Sequence, residues 1–170
     1  MIRIGVVELG SGAVILLGDN HGFFSDNDIL LDYVKFDSAQ QIANAVASGV
    51  VDIGVAGLTA GLFNLAAKGK FKIIAGNIQD ESTTPSNTYV VSNAVWGKGI
   101  RKPSDLSGLR FGVTDIGSTP HYMAAMVIEK YKMTASVDAQ FIALGSMSAM
   151  KVALEKGNID CAVIPEYVAQ

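Results

Sequence analysis

The sequence has little cysteine, little histidine and no long hydrophobic run, and each shortage excludes a class of protein. The single cysteine, Cys161, excludes a disulfide within the chain and a zinc site built from several cysteines. The longest apolar stretch, from Gly12 to Gly18, is far shorter than the roughly 18 residues that a transmembrane helix needs. The two histidines, His21 and His121, lie far apart in the sequence and have no carboxylate cluster beside them, so we expect no metal site and no cofactor.

An excess of positive charge is also missing. The 13 Lys and Arg residues against 16 Asp and Glu give a net charge of −3, with no basic run longer than two residues. This balance predicts no binding to nucleic acid or to an anionic membrane. What is present is apolar: 49% of the 170 residues are hydrophobic and the mean hydropathy is +0.34, enough for a globular core and too much for a disordered chain.

Two blocks of the sequence repeat. Arg3–Gly12 aligns with Arg110–Thr119, because Arg110 lies 107 residues after Arg3 and the Gly-Ser pairs coincide. Ala45–Val55 aligns with Ala153–Val163 at an offset of 108, with Ala, Gly, Asp and Val in register. One inserted residue reconciles the two offsets, which favours a duplicated structural unit over coincidence.

Each copy reads as strands alternating with helices. We predict strands at Ile2–Glu8, Leu30–Phe36, Val50–Val55, Lys72–Gly76, Thr88–Ser92, Arg110–Thr114, Ala139–Ala143 and Ile159–Ile164. We predict helices at Ala13–His21, Ala39–Ala47, Ala60–Ala67, Pro120–Tyr131 and Ser148–Lys156. The strands contain few polar residues, which is typical of parallel sheets covered on both faces.

The predicted fold class is therefore α/β, with two Rossmann-like lobes of mostly parallel sheet flanked by helices. A polar, loop-like stretch, Asp80–Asn87, and a Gly/Pro-rich turn, Gly97–Pro103, lie between the copies. We place lobe 1 at residues 1–92, a crossover at residues 93–109 and lobe 2 at residues 110–170.

Ligands of open parallel sheets bind beyond the carboxyl ends of the strands, so two facing lobes are expected to share one cleft. The loops at these edges contain glycines, hydroxyls and carboxylates and no Lys or Arg. Ser11 and Ser118 each follow a glycine and precede a helix, where a hydroxyl caps the helix or, with unpaired amides, holds an oxyanion. Glu8 and Glu166 can accept hydrogen bonds from an amine or amino-pyrimidine.

Other polar residues are expected to be structural. Asp52 and Asp160 belong to Gly-x-x-Asp elements and are expected to hold local turns. Cys161 lies in a predicted buried strand, which is typical of an inert thiol. Ser118 and His121, three residues apart, can make only a local contact, so no nucleophile with a base is evident and we expect no enzymatic activity.

Four segments carry a family resemblance: Ala47–Gly57, Lys102–Val113, Gly117–Tyr122 and Leu154–Val163. Through them the sequence resembles the solute-binding proteins of nitrate, sulfonate and taurine ABC transporters, a group that also contains thiamine-pyrimidine binders. The resemblance implies a type-II periplasmic-binding fold that traps a ligand between its lobes and delivers it to a membrane permease.

The resemblance also implies a set of loops that contact the ligand. His121 would lie in the first turn of a helix, whose positive end disfavours protonation, so we expect a neutral imidazole that orients the helix start or contacts the ligand. Together with the acidic and glycine neighbours in the same loops, the expected ligand-binding residues are Glu8, Ser11, Gly57, Leu58, Thr59, Gly117, Ser118, Thr119, His121, Gly145, Ser146 and Glu166.

The function expected from this resemblance is the binding component of an ABC importer for a sulfonate, taurine-like or related oxyanion compound. Its partners would be the small-molecule ligand and the permease, in the periplasm or at the cell surface. The alternative is a cytoplasmic enzyme on the same fold, in menaquinone-precursor or thiamine-pyrimidine synthesis. The effector domain of a transcription regulator is a third class, but it would carry a fused DNA-binding region that this sequence lacks.

Length and chain start lead to three further expectations. Met1 leads directly into a strand, so we expect no leader peptide in this chain. Family members run to about twice a typical single domain, so the resemblance implies that elements returning to complete both lobes are missing here and that the fold is incomplete. Exposed sheet edges then favour pairing with a second copy, as a homodimer.

Overall fold

The computed structural model describes residues 1–7, 12–76, 85–134 and 139–169. The chain folds as two compact units, Met1–Gln79 (unit 1) and Asp80–Gln170 (unit 2). The described elements of unit 1 are β1 (Ile2–Val7), α1 (Ala13–Asn20), a 3-10 turn (Ser25–Asn27), β2 (Leu31–Phe36), α2 (Ala39–Ala47), β3 (Ile53–Gly54) and α3 (Ala60–Ala67). Those of unit 2 are β4 (Asn87–Val91), α4 (Asn93–Gly97), a 3-10 turn (Pro103–Asp105), β5 (Leu109–Val113), α5 (Thr119–Lys130), β6 (Ala139–Ala143), α6 (Met147–Glu155), β7 (Cys161–Pro165) and α7 (Glu166–Ala169).

Unit 1 contains a parallel sheet in the order β2-β1-β3. Strands β1 and β2 pair along their whole length, from Ile2 opposite Leu31 to Val7 opposite Phe36. Strand β3 pairs with β1 at only two positions and is shorter than the predicted strand Val50–Val55.

Unit 2 contains a four-stranded sheet in the order β4-β7-β5-β6. Strands β5, β6 and β7 are parallel, and their connections pass through α5 and α6. Strand β4 is antiparallel to β7, with Asn87 opposite Pro165 and Val91 opposite Cys161.

The pairing of β4 corrects the expected boundary at residue 92. Strand β4 belongs to the sheet of unit 2, although the sequence analysis placed it in lobe 1. The expected crossover at residues 93–109 is also part of unit 2, where Val95 and Leu106 are buried. Apolar patterning predicts that a strand is half-buried but not which sheet it joins, since that depends on pairing with residues far along the chain.

The strand predicted at Lys72–Gly76 is wrong. The described residues 71–76 contain no strand, and the side chains of Ile73 and Ile74 are exposed. A strand forms only where a neighbouring strand offers backbone partners, and the apolar pattern of a segment does not supply them.

Helices cover both faces of the sheet in unit 2. Phe111 and Cys161 pack with Val127 of α5 on one face, and Ala162 packs with Met150 of α6 on the other. Adjacent residues such as Cys161 and Ala162 point to opposite faces because side chains alternate along a strand. The α/β class with helix-flanked, mostly parallel sheets is therefore confirmed.

A glycine in β1 and a glycine in β5 allow close packing against neighbouring side chains. A Cβ atom added to Gly5 would lie 3.1 Å from Phe36 and 3.3 Å from Ile42. A Cβ atom added to Gly112, the equivalent residue in the repeat, would lie 2.3 Å from Ile159. No helix in the described part of the chain has the length and apolar content needed to span a membrane.

Candidate functional site

The start of β5 is attached to the Gly-x-x-Asp turn by an arginine. Arg110 Nη2 donates to Asp160 Oδ1 at 2.8 Å and Nε donates to Oδ2 at 2.9 Å, while Nη2 also donates to the carbonyl of Gly157 at 2.6 Å. These hydrogen bonds from Arg110 hold the pKa of the Asp160 carboxyl below its usual range. Asp160 therefore holds a local turn at the amino ends of the parallel strands.

Unit 1 contains the same arrangement. Arg3 Nη2 donates to Asp52 Oδ1 at 3.0 Å and to the carbonyl of Gly49 at 3.1 Å, and its backbone N–H donates to Asp52 Oδ2 at 2.8 Å. The pKa of Asp52 is lowered by these hydrogen bonds from Arg3. The duplication read from the sequence thus has a counterpart in side-chain contacts.

In unit 2, the loops that were predicted to bind ligand lie at the carboxyl ends of the parallel strands, opposite the end where Arg110 binds Asp160. The backbone N–H of Leu144 donates to Val113 O at 2.9 Å, and that of Gly145 donates to Thr114 O at 2.8 Å. These bonds join the loop after β5 to the loop after β6, because parallel strands end at the same edge. Gly117, Ser118 and Thr119 therefore share one edge of unit 2 with Gly145 and Ser146.

The serines of this edge cap helices. Ser118 Oγ accepts from the backbone N–H of His121 at 3.4 Å, at the start of α5. Ser146 Oγ accepts from the backbone N–H of Ala149 at 3.1 Å, at the start of α6. The Ser118 side chain is buried, with 6% of its surface exposed. Each hydroxyl accepts with its oxygen and retains a proton that it can donate.

The amides of this loop are not the unpaired donors that the sequence analysis expected. Gly117, at φ +87°, donates its N–H to His121 Nδ1 at 2.9 Å, and Ser118 donates its N–H to Asp115 O at 3.0 Å. The sequence signal for these contacts was too general, since a glycine followed by a serine precedes many helices. The amides of residues 117 and 118 are thus already paired within the loop, while the hydroxyl protons of Ser118 and Ser146 remain as donors for a ligand.

His121 is fixed by an aromatic residue that sequence reasoning missed. The ring of Phe141 in β6 meets the imidazole edge to face, with centroids 4.3 Å apart, and packs in turn on Phe111. Burial lowers the pKa of His121, which agrees with the expected neutral imidazole. The contact between Phe141 and His121 could have been predicted only from the position of Phe141 in β6, the strand that pairs with β5.

The equivalent loops of unit 1 also begin with hydroxyl caps. Ser38 Oγ accepts from Gln41 N at 3.3 Å, and Thr59 Oγ1 accepts from Leu62 N at 3.0 Å. Thr59 Oγ1 also donates to Gln40 Oε1 at 3.5 Å. Ser38 and Ser146 occupy the same position in the repeat, since they lie 108 residues apart.

The remaining predicted site residues are placed as follows. Gly57 and Leu58 are exposed in the loop that follows β3. Glu166, exposed at the end of β7, donates its backbone N–H to Ser86 O at 3.2 Å. Glu8 and Ser11 lie outside the described residues.

A separate groove of about 400 Å³ lies on unit 2, away from these loops. Residues of β4, α4, α6, β7 and α7 line it, and the lining includes the polar residues Ser92, Asn93, Lys151, Glu155 and Lys156 as well as apolar ones. None of the predicted ligand-binding residues lines it. Within the described ranges, no group of three His, Cys, Asp or Glu side chains could hold a metal ion.

Solved structures share this fold over nearly the whole chain. The alkanesulfonate-binding protein SsuA from Xanthomonas axonopodis pv. citri, bound to MOPS, has 23% identity and a TM-score of 0.77, over 97% of this chain and 54% of its own. The periplasmic aliphatic sulphonate binding protein SsuA from Escherichia coli has 20% identity and a TM-score of 0.64, over 99% and 52%. The periplasmic nitrate-binding protein NrtA from Synechocystis PCC 6803 has 12% identity and a TM-score of 0.69, over 97% and 46%.

The chain therefore spans about half the length of the solved structures that it matches. Among curated proteins, none matches the sequence significantly. The model of the NMT1-like family matches residues 1–169, and the fold agrees with that of the periplasmic binding proteins above. The chain belongs to the NMT1-like family.

Proposed function

We propose that this chain is the ligand-binding part of an ABC solute-binding protein and that it holds a small oxyanion compound, such as a sulfonate. The observation that carries the proposal is the hydrogen-bonded edge of unit 2, where the loops of Ser118 and Ser146 are joined through Gly145 and Thr114. Similar structures are named for binding alkanesulfonate and nitrate, which are oxyanions.

The chemistry of this edge suits an anion held without a cationic side chain. The loops at residues 114–119 and 143–148 contain no Lys or Arg. Ser118 and Ser146 each offer a hydroxyl proton, and they stand at the amino ends of α5 and α6, where the helix dipole favours negative charge. A sulfonate brings three acceptor oxygens to such donors.

The rest of the predicted set completes the proposal. Thr119 follows Ser118, and Gly145 precedes Ser146. In unit 1, Ser11 and Ser38 are the residues equivalent to Ser118 and Ser146 in the repeat, and Thr59, preceded by Gly57 and Leu58, is a further hydroxyl that caps a helix. Glu166, exposed directly after β7, would accept hydrogen bonds from a neutral or cationic part of the ligand, such as the amine of taurine. A binding protein of this kind would act in the periplasm or at the cell surface and hand its ligand to a permease.

Isothermal titration calorimetry with taurine, alkanesulfonates, nitrate, bicarbonate and amino-pyrimidines tests the proposal. At least one oxyanion should bind and be recovered unchanged. Replacement of Ser118 by alanine should weaken its binding by roughly 1–3 kcal/mol, since a buried donor to an anion is lost. If no member of the panel binds, or if a bound compound is chemically converted, the proposal is wrong.

Ser92 offers a matched control. It caps α4 by accepting from Val95 N at 3.4 Å and is as buried as Ser118, each being 6% exposed. It lies at the other edge of the sheet, where its backbone N–H donates to Asp160 O. Ser92→Ala and Ser118→Ala should therefore lower the free energy of unfolding by similar amounts, while only Ser118→Ala weakens ligand binding.

A further inference from the structure

We infer that His121 is a positioning residue, which holds the Asp115–Ser118 turn in its binding form by accepting the N–H of Gly117 at Nδ1. This inference rests on the proposed function, because the turn carries the Ser118 hydroxyl toward the ligand. The contact has the ordinary length of a hydrogen bond, 2.9 Å, and it spans the turn that leads into α5.

The contact determines the protonation state of the imidazole. A backbone N–H is only a donor, so His121 Nδ1 must carry a lone pair, and the proton of the neutral ring lies on Nε2. The imidazolium carries a proton on Nδ1 as well, which would face the N–H of Gly117 and break the contact. The neutral form is thus required for the turn described here.

The surroundings of His121 favour the neutral form. The ring packs edge to face on Phe141, its burial lowers its pKa, and it lies in the first turn of α5. Strand β6 carries no charged residue. The titratable groups on the neighbouring elements are Asp115 in the turn, Tyr122, Glu129 and Lys130 on α5, and Arg110 on β5.

Among these groups and His121, the imidazole of His121 is the one that accepts the N–H of Gly117. Glu129 and Lys130 lie at the far end of α5, and Arg110 lies at the opposite end of β5, where it binds Asp160. Asp115 uses its backbone carbonyl to accept from Ser118 N at 3.0 Å. Ligand binding should therefore fall as the pH drops through the lowered pKa of His121, which lies below the ordinary value of about 6.5.

Three variants separate positioning from bulk structure. In His121→Asn, the amide Oδ1 occupies the place of Nδ1 and accepts from Gly117 without titrating. In His121→Gln, a similar side chain places its acceptor one bond further away, and in His121→Ala the acceptor is lost. We expect Ala and Gln to weaken binding of ethanesulfonate about fivefold to tenfold, and Asn to bind nearly as the wild type does.

The pH profile is the readout that a purely structural role would not change. Ethanesulfonate keeps one charge between about pH 5 and pH 8, so any loss of affinity on acidification comes from the protein. The wild type should lose affinity as the pH falls below the ordinary imidazole value of about 6.5 and through the lowered pKa of His121, whereas His121→Asn should bind independently of pH. Equal affinities and equal pH profiles in all four proteins would overturn the inference.

Amide hydrogen exchange of Gly117, followed by NMR without ligand, keeps this test independent of the proposed function. Exchange should be faster in His121→Ala and His121→Gln than in the wild type and His121→Asn. If no panel compound binds but exchange follows this order, the proposed function fails while the control of the turn by His121 is supported. Exchange at Gly117 that is unchanged in all three variants contradicts the inference.

Discussion

Arg110 and Asp160 are joined by two parallel hydrogen bonds, of 2.8 and 2.9 Å, between the guanidinium and the carboxylate. In unit 1 the pair Arg3 and Asp52 occupies the equivalent place. The two pairs differ in exposure, because the Asp160 side chain is 16% exposed and the Asp52 side chain 46%. One molecule thus contains a partly buried and an exposed version of the same interaction.

Removal of the carboxylate charge should therefore cost more in unit 2. We expect Asp160→Asn to lower the free energy of unfolding by about 1–3 kcal/mol, since charge-assisted bonds to Arg110 are lost. Asp52→Asn should lower it less, because solvent screens the exposed pair with Arg3. Urea unfolding at neutral pH measures both, and a larger loss for Asp52→Asn would contradict this ordering.

The same pair gives a pH dependence with a definite sign. The folded-state pKa of Asp160 is lowered, so the unfolded chain binds more protons than the folded chain in the acid range. The contribution of Asp160 is fully present above the ordinary carboxyl pKa of 3.8 and is lost as the pH falls toward the lower folded value. Asp160→Asn should show a correspondingly flatter acid limb in its unfolding profile.

Gly112 is predicted to tolerate no side chain. Alanine at this position would place its Cβ 2.3 Å from Ile159 Cδ1, and Ile159 is fully buried. We expect Gly112→Ala to destabilise the protein by about 1–3 kcal/mol through overpacking. Gly97→Ala is the control, because its Cβ meets no atom within 4 Å, and its melting temperature should match or exceed that of the wild type.

The thiol of Cys161 should be inert in the folded protein. The side chain is 3% exposed, Sγ donates to Arg110 O at 3.7 Å, and burial raises the pKa of the thiol. A thiol-reactive dye should label Cys161 slowly under native conditions and completely in urea. Rapid native labelling would show an accessible thiolate and would reopen the enzymatic alternative.

Tyr33 should keep its proton far into the alkaline range. Burial and the hydrogen bond from its hydroxyl to Asp19 Oδ2, at 3.0 Å, raise its pKa to about 12. This bond attaches α1 to β2, and α1 contains no buried residue. Tyr33→Phe should therefore speed amide exchange in α1, whereas exchange in α2 should stay unchanged. It should also reduce the late part of the ultraviolet titration of tyrosine by one residue, with Tyr89, whose pKa is likewise raised by burial, remaining.

Local signals predicted several elements to the residue. Helices Ala39–Ala47 and Ala60–Ala67 lie where the sequence placed them, since each begins after a capping hydroxyl, Ser38 or Thr59, and ends before a glycine turn. Strand Ala139–Ala143 is also as predicted. In these cases the information lies within a few residues of the element.

The pairing of strands that lie far apart in the sequence could not be predicted from such local signals. The segment at 72–76 has the apolar residues of a strand but no ladder, and β4 joins β7 rather than the sheet that precedes it. At the candidate site, the position of Ser118 before a helix was predictable, whereas the use of the Gly117 amide by His121 was not. That contact depends on Phe141, which orients the ring from a neighbouring strand.

The pairing of β4 with β7 also determines the order in which the two sheets can form during synthesis on the ribosome. Ile2 pairs with Leu31, so the first ladder of unit 1 is complete early in translation. Val91 pairs with Cys161, and Asn87 pairs with Pro165. The earliest strand of unit 2 therefore has no partner in its sheet until nearly all of that unit has emerged from the ribosome. A nascent chain stalled before residue 161 therefore carries a finished first ladder beside an unpaired apolar strand, which is the species that a chaperone would have to shield.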